Sequence, residues 1–221
     1  MIMKQYILLL SVFVFVQCSA SSSSKKITDN DCDSIAWKIA YLFNDYQLDD
    51  KESKLDTIMA ILDLYSGKCP KYNANFSLQR IVVFSFKRDY QQGLKYAELL
   101  NDTFIDSTYK FVVVNRFRAM IAQEKGDMSA KNKYINEIVN ILKRNVPENE
   151  IDSIMKFQNA DSIVHYKKYI YLQQYFYYLA QIEGIEKVNK YLDSKYNDIE
   201  DKYLWTIRPQ NNDDFMKFHG F

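Results

Sequence analysis

Residues 122–142 read AQEKGDMSAKNKYINEIVNIL, and their reading decides the fold. Gly126-Asp127 is a turn signal, and behind it Tyr134, Ile135, Ile138, Val139 and Leu142 form an apolar stripe at helical period. Working outward, the same period recurs on both sides. Ile35, Ile39, Leu42, Phe43 and Tyr46 make one core stripe, and Leu55, Ile58, Met59, Leu62 and Tyr65 make a second. That second helix is expected to start at Ser53, with Asp56 three residues on, and to stop at Gly67 before Pro70. Residues 76–86 are rich in Val and Phe (IVVFSF) and suit a strand by propensity, but their length and the polar Gln79-Arg80 favour a helix. Further helices are expected over 90–100, from Asp106 or Ser107 to Gln123, from an Asn145-Pro147 start, from Asp161-Ser162 to Gly184, and over 185–196. No stretch alternates regularly, so the folded part is all-α.

Composition agrees. Five glycines and three prolines in 221 residues are too few for collagen, a flexible linker or a hairpin-rich β fold. A hydrophobic content of 48%, with 15% aromatic, excludes a disordered chain.

The N-terminus carries an address. Lys4 precedes the apolar run Tyr6–Val16, which is short for a membrane-spanning helix and suits the core of a secretory signal. Residues 15–19 (FVQCS) resemble the lipobox of bacterial lipoproteins, with Gln17 where a small residue is usual and Phe15 where leucine is commonest. The resemblance implies residues 1–17 as a signal peptide and Cys18 as an acylated, palmitate-bearing first residue of an exported protein held at the cell envelope. Ordinary cleavage after Ala20 is the alternative, also for an exported chain. Residues 18–28, with the run SASSSSKK at 19–26, read as a flexible tether, and residues 29–221 as a single domain. Removing residues 1–17 takes away Lys4 and no acid, leaving 28 basic against 28 acidic residues. Such a balance offers no basic field for nucleic acid.

With Cys18 acylated, Cys32 and Cys69 remain as an even pair in an oxidising compartment. Cys32 precedes the first helical stripe and Cys69 follows the second, so an antiparallel hairpin would set them side by side. They either bridge or stay as two small buried hydrophobes.

Three junctions look alike. Phe86 to Tyr90 is followed by Gly93, Leu94 and Ala97; Ala122 to Asp127 by Ala130 and Tyr134; Ala180 to Gly184 by Val188 and Leu192. Small residues let paired helices approach, and a larger one four positions on fills the groove. The pattern resembles the tetratricopeptide repeat, with Gly126-Asp127, Ala130 and Tyr134 its fullest match. Arg88 stands where that family has glycine and Gly93 where it has alanine. Asp89 and Asp127 are 38 positions apart, and Gly126 and Gly184 are 58 apart. The resemblance implies antiparallel helical hairpins stacked as a short irregular α-solenoid. A generic stack of hairpins is the other reading.

Chemistry-bearing motifs are scarce. His165 and His219 are the only histidines, and no HExxH, Walker loop, GxSxG or GxGxxG occurs. Asp29, Asp31 and Asp33 mimic the start of an EF-hand loop, but Ser34 and Ala40 occupy its glycine and glutamate positions, so these acids read as helix N-terminal charges. No metal or cofactor is expected. Residues 166–179 (YKKYIYLQQYFYYL) hold six tyrosines and one phenylalanine, suited either to a recognition surface or to a helix packed on two sides. The functional expectation is a non-catalytic module that binds a protein or peptide, with Tyr109, Arg116, Tyr171, Tyr175 and Tyr178 as candidate contacts, anchored to a membrane through its N-terminal lipid. An envelope inhibitor or immunity-type protein blocking a toxin or hydrolase is the alternative, and an enzyme using a carboxylate pair is a third class.

Overall fold

The structure, a computed structural model, describes residues 27–101, 106–156, 163–196 and 207–209. The signal segment 1–17, Cys18, the tether up to residue 26 and His219 lie outside the described residues, as does the side chain of His165.

Among the described residues the chain forms only helices: α1 (Asp29–Asp49), α2 (Glu52–Tyr65), α3 (Asn73–Phe86), α4 (Tyr90–Glu98), α5 (Ser107–Glu124), α6 (Met128–Asn145), α7 (Glu148–Lys156), α8 (Ile163–Glu183) and α9 (Ile185–Lys195). A 3-10 turn, Pro70–Tyr72, leads into α3. Consecutive helices pack on one another from α1 through α6 and again from α7 through α9. The short α7 lies against α8, and α6 also packs directly on α8. The fold is an all-α stack of antiparallel hairpins.

Burial explains which helices look amphipathic. Helix α6 buries Ile135, Ile138, Val139 and Leu142, the stripe legible in the sequence. Helix α5 buries residues around most of its circumference, because it stands between two cores. Val112 and Ala119 join the core built with α6–α9, whereas Val113, Val114, Phe117 and Ile121 join the one built with α3 and α4. Helix α3 is shared in the same way: Phe76 and Val83 face the α1–α2 core, and Ile81 faces α4 and α5. The Val/Phe run at 76–86 is thus a two-sided helix, and its strand-like composition reflects burial on both sides rather than a pleat.

Two helix boundaries differ from the sequence reading. Helix α2 begins at Glu52 with Lys51 at its N-cap and no side-chain cap bond, so Ser53 lies inside the helix. Asn145 closes α6, and α7 opens at Glu148 behind Pro147. At α1, Thr28 and Asp31 form a reciprocal capping box, and Asp33 accepts hydrogen bonds from Tyr72 Oη (2.7 Å) and Lys71 Nζ (3.2 Å). Those interactions occupy Asp31 and Asp33 of the EF-hand-like triplet. Cys32 and Cys69 are bonded to each other, with Cα atoms 5.7 Å apart, clamping the start of α1 to the end of α2.

The turns after α3 and α5 are built alike. Lys87 N–H donates to Val83 O, Arg88 N–H to Ser85 O and Asp89 N–H to Phe84 O; Lys125, Gly126 and Asp127 repeat this with Ile121, Gln123 and Ala122. Asp89 then caps α4 through the Gln92 N–H, and Asp127 caps α6 through the Ala130 N–H. The middle residue is left-handed in both turns, Gly126 at φ 72° and Arg88 at φ 56°. The 38-position spacing of the sequence is therefore a repeat of backbone hydrogen bonding, with an arginine in a conformation that favours glycine.

Gly93 is required by close approach. A Cβ there would lie 2.3 Å from Cε1 of Phe117, which is only 1% exposed and packed against Tyr90. Alanine would gain about 1 kcal/mol in helix propensity and lose about 1–3 kcal/mol to overpacking against a ring that cannot swing away. Gly93→Ala is therefore expected to lower stability by up to about 2 kcal/mol, read as a lower urea midpoint with an unchanged m-value. A midpoint at or above that of the parent would show that Phe117 can yield.

Candidate functional site

Helices α6 to α9 enclose a groove of about 500 Å³ on the surface of the largest core. Its floor is apolar: Val139, Val146, Ile151, Leu179 and Val188. Tyr175 of α8 and Tyr191 of α9 supply aromatic walls, and Asn136 and Asn140 stand one turn apart on α6. Charges of both signs complete the lining: Lys143, Glu148, Glu183 and Lys187.

Local chain direction makes this groove. Helix α6 ends where the Val146 N–H bonds Leu142 O, and Pro147 follows with its carbonyl accepting the Glu150 N–H, which sets Glu148 at the opening of α7. At the other side a single residue, Gly184 at φ 92°, joins α8 to α9 and folds α9 back against α8. Across the groove mouth Glu148 is ion-paired with Lys195, whose ammonium also donates to Tyr191 Oη at 3.2 Å and lies 5.5 Å from the Tyr191 ring centre. The hydrogen bond from Lys195 holds the Glu148 carboxyl below the usual range, and the bonds to Glu148 and Tyr191 push the Lys195 ammonium up. Lys187 pairs with Glu183 at 2.8 Å, one turn apart. Burial raises the Tyr175 phenol.

The structure separates the residues singled out from sequence. Tyr175 lines the groove. Arg116, Tyr171 and Tyr178 are 4%, 3% and 3% exposed, and Tyr109 packs against two cores at once. Arg116, Tyr171 and Tyr178 are buried between helices and Tyr109 is partly buried, so of the five candidates Tyr175 is the one that lines the groove. The physical reason is the two-sided packing of α5 and α8, which turns even tyrosine-rich faces inward. Tyr171 Oη reaches both carboxylate oxygens of Asp106 at 2.6 Å, Lys167 pairs with Asp106 at 3.0 Å, and Arg116 Nη2 donates to Ser85 Oγ at 2.9 Å. The Arg116 guanidinium also lies 5.6 Å from the Phe117 ring centre. Burial of Asp106 favours its neutral form, but hydrogen bonds from Tyr171, the Tyr109 N–H and Lys167 outweigh it and hold its carboxyl below the usual value.

Sequence reading missed Asn136, Asn140, Glu148, Lys187 and Tyr191. They come from three separate helices with no shared motif. The only signals were the corners, Pro147 and Gly184, which bring those helices together. No family model, no curated protein and no solved structure matches this chain.

Proposed function

We propose that this chain is an exported lipoprotein, acylated at Cys18, whose helical domain binds an extended segment of a protein or peptide partner at the cell envelope and performs no catalysis. The observation that carries the binding role is the groove: an apolar floor, two tyrosine walls and a pair of asparagines one turn apart. Extended peptides present alternate side chains that an apolar floor can take, and backbone groups that amides and phenols can hydrogen-bond. The bridge between Cys32 and Cys69 supports export, since such bonds persist in oxidising compartments. Mixed charge around the groove, Lys143 and Lys187 against Glu148 and Glu183, favours general peptide docking over the one-signed acidic face that an inhibitor of a toxin or hydrolase would use.

A photo-crosslinking amino acid at Asn140 tests this in cells. It is expected to give a discrete adduct that falls roughly ten-fold when Tyr191→Ala or Asn136→Arg is added, the effect of losing a central contact. Both altered side chains are exposed, so the fold should persist. No adduct from Asn140, or an equal one from a probe at Lys190 outside the groove, would overturn the reading.

A further inference from the structure

Helix α1 carries an outward stripe that packing does not explain. Asn30, Ser34, Trp37, Tyr41, Asn44 and Leu48 follow one another at spacings of four and three, and all six are exposed. Trp37, Tyr41 and Leu48 are 77%, 65% and 85% exposed. They fall within roughly 40° of one another on a helix of 3.6 residues per turn. The opposite side of the same helix, through Ile35, Ile39, Leu42, Phe43 and Tyr46, packs on α2 and α3. No member of the outward stripe is charged.

Three of the carboxylates beside it are ion-paired. Asp33 pairs with Lys71, Asp45 with Lys54, and Asp49 with both Lys51 and Lys54. An uncharged surface of aromatic and amide side chains suits the headgroup level of a bilayer, where Trp and Tyr settle with the ring in the apolar layer and the polar atom in water. Chain length points to the same occupant. Only ten residues separate Cys18 from Asp29, a reach of no more than about 40 Å when fully extended. An acyl chain on Cys18 would therefore hold the N-terminal end of α1 within about 40 Å of the membrane. No helix among the described residues is long and apolar enough to cross a membrane.

We infer that the Trp37–Tyr41–Leu48 face of α1 lies on the membrane that anchors the chain, a second contact beside the lipid. This rests on the lipoprotein reading above. An interfacial helix face beside a covalent lipid would fix how the folded body sits on the membrane. The contact would also set which way the α6–α9 groove points.

The test uses the full chain reconstituted in vesicles of phosphatidylethanolamine and phosphatidylglycerol. Trp37 and Trp205 are the two tryptophans. In a Trp205→Phe variant, emission of Trp37 is expected to shift to the blue on vesicles, and brominated acyl chains should cut it by roughly half, as for a ring at the headgroup level. In the reciprocal Trp37→Phe variant that quenched fraction should vanish, which keeps the test decisive if either variant folds poorly. Unquenched, water-like Trp37 emission in protein that floats with the vesicles overturns the inference, whether a second copy or another protein then covers the face. Labelled-palmitate incorporation with a Cys18→Ala control reads the anchor separately. Label without quenching overturns the membrane face and leaves the anchor standing. Quenching without label overturns the anchor and leaves the face standing as a direct contact. The absence of both overturns both.

Discussion

Replacing Cys32 and Cys69 together by alanine is expected to destabilise the folded body by about 4 kcal/mol. The bridge spans 37 residues and closes the α1–α2 hairpin, so the loop whose entropy it removes from the unfolded chain is long. Both sites are buried, at 4% and 0% exposure, and alanine fits there without placing a polar atom in the core. For a body of this size the melting temperature should fall by roughly 10 °C. Thermal unfolding of parent and double variant, each with and without reductant, checks it. Reductant should lower the parent to near the variant and leave the variant unmoved. A parent indifferent to reductant would mean that the hairpin is held by its core, Leu55, Ile58, Leu62 and Phe76, with little help from the bridge.

Alkaline titration should reveal the buried tyrosines. Burial pushes the phenols of Tyr90, Tyr109, Tyr171, Tyr175 and Tyr178 up, that of Tyr109 to about 12. For Tyr171 the bond to the Asp106 carboxylate adds to the effect, because an ionised phenol would face an anion. In the unfolded chain these phenols lose protons near pH 10. A raised folded value means that the contribution is fully present below about pH 10 and is lost as the pH rises from there through the folded value. For Tyr109 alone two pKa units amount to about 3 kcal/mol. Urea midpoints should therefore hold steady up to about pH 9 and then fall steeply, with a shallower fall in Tyr109→Phe. A flat profile to about pH 12 would show that these phenols are solvated. The acid side runs the other way. The Asp106 contribution is present above the ordinary carboxylate value near 3.9 and is lost as the pH drops through the lower folded value.

How much was legible depended on how many sides a helix buries. Helices α2 and α6 bury one stripe, and Leu55, Ile58 and Leu62 or Ile135, Ile138 and Leu142 announce it by spacing. Helices α5 and α8 lie between neighbours, so their apolar residues run all round and spacing says nothing about which tyrosine faces water. That is why Tyr171 and Tyr178 looked like contacts and are core, while Tyr191, on the single-sided α9, went unnoticed. The stripe of Trp37, Tyr41 and Leu48 was likewise hidden, because an outward apolar face on a helix with a proper core stripe reads as background.

The sequence by itself determined that the described body is helical, where most of its corners fall, and which cysteines an antiparallel hairpin would set side by side. Those are properties of periods and turn residues over a dozen positions, and local backbone physics enforces them. Only the tertiary structure decided which residues of the two-sided helices α5 and α8 face inward. That choice depends on how many neighbours a helix meets, and nothing within α5 or α8 taken alone records the number.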